Sequence, residues 1–66
     1  MKKQLQEIID RAIVLQKNYN NLKNWQHGIR AELSSLVGVS KSHYAIGQIV
    51  RGDTKYLLDE LLEFTT

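Results

Sequence analysis

Apolar residues recur at helical intervals along most of the chain. Leu5, Ile8, Ala12, Leu15, Tyr19 and Leu22 alternate spacings of three and four, a stripe with near-heptad period. The stripe predicts a first amphipathic helix over 2–17, running at most to 24, so that 1–24 forms an N-terminal helical segment. Ile9, Ile13 and Val14 widen the apolar face beyond a narrow seam. A wide face suits a helix packed against its own domain, and a dimer seam is the other use of the same stripe. Asn18, Asn20, Asn21 and Asn24 weaken helix propensity, so the helix breaks among them or continues to Trp25. His27-Gly28 is the clearer break, because glycine after a periodic run reads as a C-terminal cap. Trp25 reads as a core anchor, since an indole ring buries a large apolar area.

A second helix is predicted over 29–37, with Ile29, Leu33, Leu36 and Val37 inward and small Ser34 and Ser35 permitting close approach by another helix. Gly38 follows, where a positive φ costs little. Val39 is apolar and reads as a plug for the bend, and Ser40 as the N-cap of a third helix over 41–51. Helix end, left-handed turn, plug and helix start thus occupy LVGVSKS, a compactness that separates a helix-turn-helix over 29–51 from an ordinary helical hairpin. Ile46, Ile49 and Val50 give the third helix a buried face. Gly47 inside it costs about 1 kcal/mol against alanine and allows close approach, either of DNA or of another helix. Gly52-Asp53 ends this helix. Asp53 or Thr54 caps a last one over 54–64, in which Tyr56, Leu57, Leu58, Leu61, Leu62 and Phe64 are apolar. The expected fold is a single small all-α domain of four to five helices, closed by an apolar C-terminal helix.

Composition narrows the class. The chain has 66 residues, no proline and no cysteine. Lack of proline and abundant Leu and Ile favour helices over a β fold. A lone core of this size supplies only ~3–5 kcal/mol, which makes a homodimer the expected source of further buried area. No disulfide or thiolate metal site is available, in keeping with a cytoplasmic protein. Polar residues interrupt the N-terminal segment too often for a signal peptide or membrane span. Net charge is +2 with a pI near 9.1, so the distribution matters more than the sum. Lys41, His43, Arg51 and Lys55 lie in the middle, whereas Asp53, Asp59, Glu60 and Glu63 cluster towards the C-terminus.

AELSSLVGVSKS, IGQIVRG and the closing YLLDELLEF together resemble the lambda-repressor-like helix-turn-helix regulators of phages and mobile elements, grouped with Cro and the xenobiotic-response-element regulators. The likeness covers about half the chain. It implies a repressor or activator that places its second motif helix in the major groove of operator DNA. Gly38 and Gly52 lie further apart than in the common family pattern, and two registers follow. Counting forward from Gly38 buries Tyr44 and Gly47 and exposes Ile46 and Ile49. Counting back from Gly52 buries Ile46, Ile49 and Val50 and lengthens the turn or helix start, and it hides more apolar surface. Arg30 is the closest match to the polar residue with which the family opens its first motif helix.

In this reading Lys41, Ser42, His43 and Gln48 are candidates for contacts at or near base edges, and Arg51 for guanine. Arg30 and Lys55 are candidates for phosphates. For each, an ordinary solvated side chain is the plainer explanation. His27 and His43 lack the partners of a metal site. No nucleophile has an evident base, and no glycine loop suits a phosphate cofactor, so neither catalysis nor a cofactor is expected. Small Ala45 and Gly47 and the modest charge keep a second reading open: a helical protein-interaction module, such as an anti-repressor, inhibitor or assembly factor.

Overall fold

The stripes of apolar residues close on one another as four helices. The computed structural model describes residues 2–19 and 22–65, without the side chains of 64 and 65. Within it run α1 (Lys2–Asn18), α2 (Asn24–Val37), α3 (Val39–Arg51) and α4 (Leu57–Thr65), with no strand among the described residues. The protein is thus a small all-α domain. Asn20, Asn21 and the Phe64 side chain, which entered the expectations above, lie outside the described residues.

Each helix contributes one face to a single core. α1 buries Leu5, Ile8, Ile9 and Ala12, the i, i+3, i+4, i+7 set of one helix face. α2 buries Ile29, Leu33 and Val37, α3 buries Ala45, Ile46 and Ile49, and α4 buries Leu57 and Leu61. Leu15, Trp25, Leu36, Leu58 and Leu62 pack at the margin. The α1 stripe is therefore used within the chain. Its C-terminal extension, Tyr19 and Leu22, is exposed, and of the residues expected to widen the face only Ile9 is buried, Ile13 and Val14 being exposed. Arg11 adds an exposed ion pair to Glu32 at 2.6 Å, linking α1 to α2. Exposed pairs of this kind contribute about 0–1 kcal/mol, so burial rather than charge seats α1.

Several boundaries differ from expectation. α2 starts at Asn24 and passes through His27-Gly28 without a break. Trp25, Ile29, Leu33 and Val37 are spaced by four, and that continuous stripe outweighs the ~1 kcal/mol cost of one glycine. Trp25 is half-buried at the core margin, and its Nε1 is buried with no hydrogen-bond partner among the described residues. α4 starts at Leu57, not 54, and Tyr56 is exposed before it. Asp53 does not cap α4, because it closes α3 instead.

Candidate nucleic-acid interface

The joint between α2 and α3 is a single residue. Val37 ends one helix, Val39 starts the next, and Gly38 between them has φ 95° and ψ 164°. That combination is almost confined to glycine, because a Cβ would clash with the adjoining backbone. The Gly38 N–H donates to the Ser34 carbonyl at 3.0 Å, and its carbonyl accepts from the Ser42 N–H at 3.1 Å. One residue thus satisfies a helix end on either side. Side chains brace the same corner. Ser34 Oγ donates to Ser42 Oγ at 2.8 Å, and Ser42 Oγ donates to the Val39 carbonyl at 2.7 Å.

This corner is tighter than a helix-turn-helix with room for a plug and a cap, and it resets the residues after it. Val39 does not plug the bend; it is 63% exposed in the first turn of α3. Ser40 is likewise exposed within that turn instead of capping it. Starting the helix at 39 fixes its phase, and Ser42, Ala45, Ile46 and Ile49 turn inward. Ile46 and Ile49 are buried as the count back from Gly52 requires, although Val50 is 44% exposed. Ser40, His43, Tyr44, Gly47, Val50 and Arg51 form the outward face.

The far end of α3 is equally well defined. Gly52 is left-handed (φ 80°, ψ 13°), its N–H bonds to the Ile49 carbonyl at 3.1 Å, and Asp53 N–H bonds to the Gln48 carbonyl at 2.9 Å. This pair of bonds is a Schellman cap. Gln48 is buried beside it. Its Nε2 donates to Asp53 Oδ2 at 3.3 Å, and its Oε1 accepts from Arg51 Nη1 at 3.4 Å.

The sequence-derived contact set therefore divides. His43 and Arg51 are exposed on α3, and Lys41 is half-buried on its flank. Ser42 is fully buried and committed to the corner, so it is corrected from contact residue to structural clasp. Gln48 is corrected too, because its amide holds Arg51 and Asp53 at the helix end. Arg30 is half-buried on α2 and donates to His27 Nδ1 at 3.1 Å. Lys55 is exposed in the α3–α4 loop with its ammonium 5.3 Å from the Tyr56 ring centroid. Polar Ser42 and Gln48 looked solvent-facing in the sequence; their burial is satisfied by Ser34 and Asp53. Tyr44 was not among the candidates. Phase was the signal that could have found it, since a helix burying Ile46 and Ile49 turns Tyr44 outward.

Charge is sorted between neighbouring helices. α3 carries Lys41 and Arg51 with no carboxylate, whereas α4 carries Asp59, Glu60 and Glu63 with no cation. Tyr44 joins them by donating its hydroxyl to the Glu60 carboxylate. That hydrogen bond, then desolvation and the surrounding carboxylates, holds the Tyr44 phenol above the ordinary tyrosine pKa. Beside it lies an open groove of about 310 Å³ lined by Ser40, Lys41, Tyr44 and Glu60.

Among the described residues, no cluster of three His, Cys, Asp or Glu side chains could hold a metal ion. Among the same residues, no helix is long and apolar enough to cross a membrane. Comparison with family models, curated proteins and solved structures returns no match to this chain. The family resemblance thus rests on the quoted motifs alone.

Proposed function

We propose that this protein is a sequence-specific, double-stranded-DNA-binding regulator of transcription that presents α3 to the major groove, in the manner of helix-turn-helix repressors of phages and mobile elements. The observation that carries the reading is the outward and flanking surface of α3, with Lys41, His43 and Arg51 and no acidic residue on the helix. A helix so charged is drawn to phosphates and can offer Arg51 to guanine. Arg30 and Lys55 contact phosphates, and Lys41, expected near base edges, joins them from its half-buried place on the flank of α3. Gln48 acts through Arg51, whose guanidinium it steadies. A homodimer on two half-sites supplies the affinity that one small face lacks. Its place of action is the cytoplasm.

A second reading has its own support. Val39, Tyr44 and Val50 expose apolar surface on the same helix, which suits a protein partner that takes the place of DNA. A gel-shift series at rising salt separates the two. DNA binding through Lys41, Arg30 and Lys55 predicts a log–log slope of about −3 per protomer. Absence of binding to any DNA pool at every salt concentration rejects the DNA reading.

A further inference from the structure

The outward face of α3 has a gap at its centre. Gly47 is exposed there, and a Cβ added to it meets nothing within 4 Å. The chain's own interior therefore makes no use of glycine at this position, although glycine is a poorer residue than alanine inside a helix. The backbone angle makes no demand either, since positive φ among the described glycines is confined to Gly38 and Gly52.

Of the four side chains one turn away, His43 and Val50 flank the gap on the same exposed face, and Tyr44 and Arg51 are bonded elsewhere. Tyr44 precedes it, and its hydroxyl is held by Glu60 on α4. Arg51 follows it and by helix geometry leans back towards the N-terminus. Its guanidinium bonds to Gln48, which lies on the buried flank and not on the outward strip. At Gly47 itself the helix backbone is bare, between His43 and Val50, within a surface whose formal charges on α3 are all positive. That charge is complementary to a polyanion.

Dimensions give the gap its meaning. An α-helix with side chains is about 10–12 Å across, and the major groove of B-form DNA is about 12 Å wide. The clearance is small, so depth of insertion depends on the bulk of the leading ridge. We infer that Gly47 is the point of closest approach between α3 and duplex DNA, where the absence of a side chain seats the helix deep against the base edges. The inference rests on the DNA-binding reading and adds to it the residue that sets how closely the helix docks. Tyr44, tied back by Glu60, keeps its ring from closing the gap.

The test compares wild type, Gly47→Ala and Gly47→Leu on a duplex that the wild type enriches from a randomised pool, with thermal melts of the same proteins. Gly47→Ala is expected to melt higher by about 2–8 °C, because an exposed helix interior gains propensity. It is expected to bind about tenfold more weakly, the loss of one good base contact. Gly47→Leu binds more weakly still. The salt slope stays the same in both, since no phosphate contact is removed. Stability and affinity thus move in opposite directions. If Gly47→Ala binds as the wild type does, the closest-approach assignment falls and the DNA reading stands. If Gly47→Ala melts lower, Gly47 serves the fold and the assignment likewise falls. If the wild type enriches no duplex even at low salt, both fall together.

Discussion

Gly38 and Gly47 are the same residue type on the same helical unit, and the fold treats them differently. Gly38 forms the whole joint between α2 and α3, in a backbone conformation that side chains rarely adopt. Gly47 is ordinary helix with open space where its Cβ would be. The first glycine is required from within, by the dihedral angles of the chain. The second, like Gly28 in α2, meets no internal requirement of space or backbone angle. The contrast teaches that glycine in a helical sequence marks two kinds of position, and that only geometry tells them apart.

Substitutions can break this contrast. The largest expected effect is at the joint: Gly38→Ala forces a Cβ into strained backbone at a cost of about 1–3 kcal/mol. Against a total of ~3–5 kcal/mol, that removes a large share of the stability, readable as a lower urea midpoint followed by circular dichroism. A melt indistinguishable from wild type would mean that the joint has another conformation available. Ser42→Ala comes next. It removes the donor to the Val39 carbonyl and the acceptor for Ser34, for about 1–1.5 kcal/mol. Should it cost as much as Gly38→Ala, the clasp and not the glycine sets the corner. Gly47→Ala is the counter-case, with a gain of about 0.5–1 kcal/mol.

The Tyr44–Glu60 link contributes least. The bond holds the phenol above the ordinary pKa, so the proton needed for donation is present throughout the neutral range. The sign follows from linkage. The contribution is complete below the ordinary value of about 10 and is lost as pH rises through the raised one. Glu60→Gln is expected to lower the pKa of Tyr44 towards the ordinary value, so that tyrosinate absorbance appears at lower pH. No change in that titration on Glu60→Gln would remove Glu60 as the tether.

Legibility in the sequence followed periodicity. Leu5, Ile8 and Ala12, Ile29, Leu33 and Val37, and Ile46 and Ile49 could be assigned inward because a 3.6-residue repeat survives without any knowledge of partners. Gly38 and Gly52 were legible as breaks for the same reason, since each interrupts a repeat. Turn length was not. Whether one residue or several separate two helices depends on ψ at Gly38, which glycine leaves open. Misjudging it by two residues moved Val39 from plug to surface and Ser40 from cap to first turn. The candidate site was legible in its charges, Lys41, His43 and Arg51, and obscure in its polar neutral residues. Ser42 shares the inward phase of Ala45, Ile46 and Ile49, and the burial of Ser42 and Gln48 is satisfied by Ser34 and Asp53, which the helical repeat alone does not reveal. Gly28 misled in the opposite direction, because a glycine inside a well-packed helix looks like a terminus until the stripe on both sides is weighed.

The single-residue joint also limits how α3 can move. Each peptide unit is planar, so a residue has two soft torsions. Two helices joined through Gly38 are therefore nearly two rods sharing φ and ψ of one residue. The hydrogen bonds of Ser34, Gly38 and Ser42 restrain both angles. α3 is aimed before it meets anything, and docking has little orientational freedom left to freeze. Whatever this face binds, association is spared much of the ordering cost that a flexible reading element would incur.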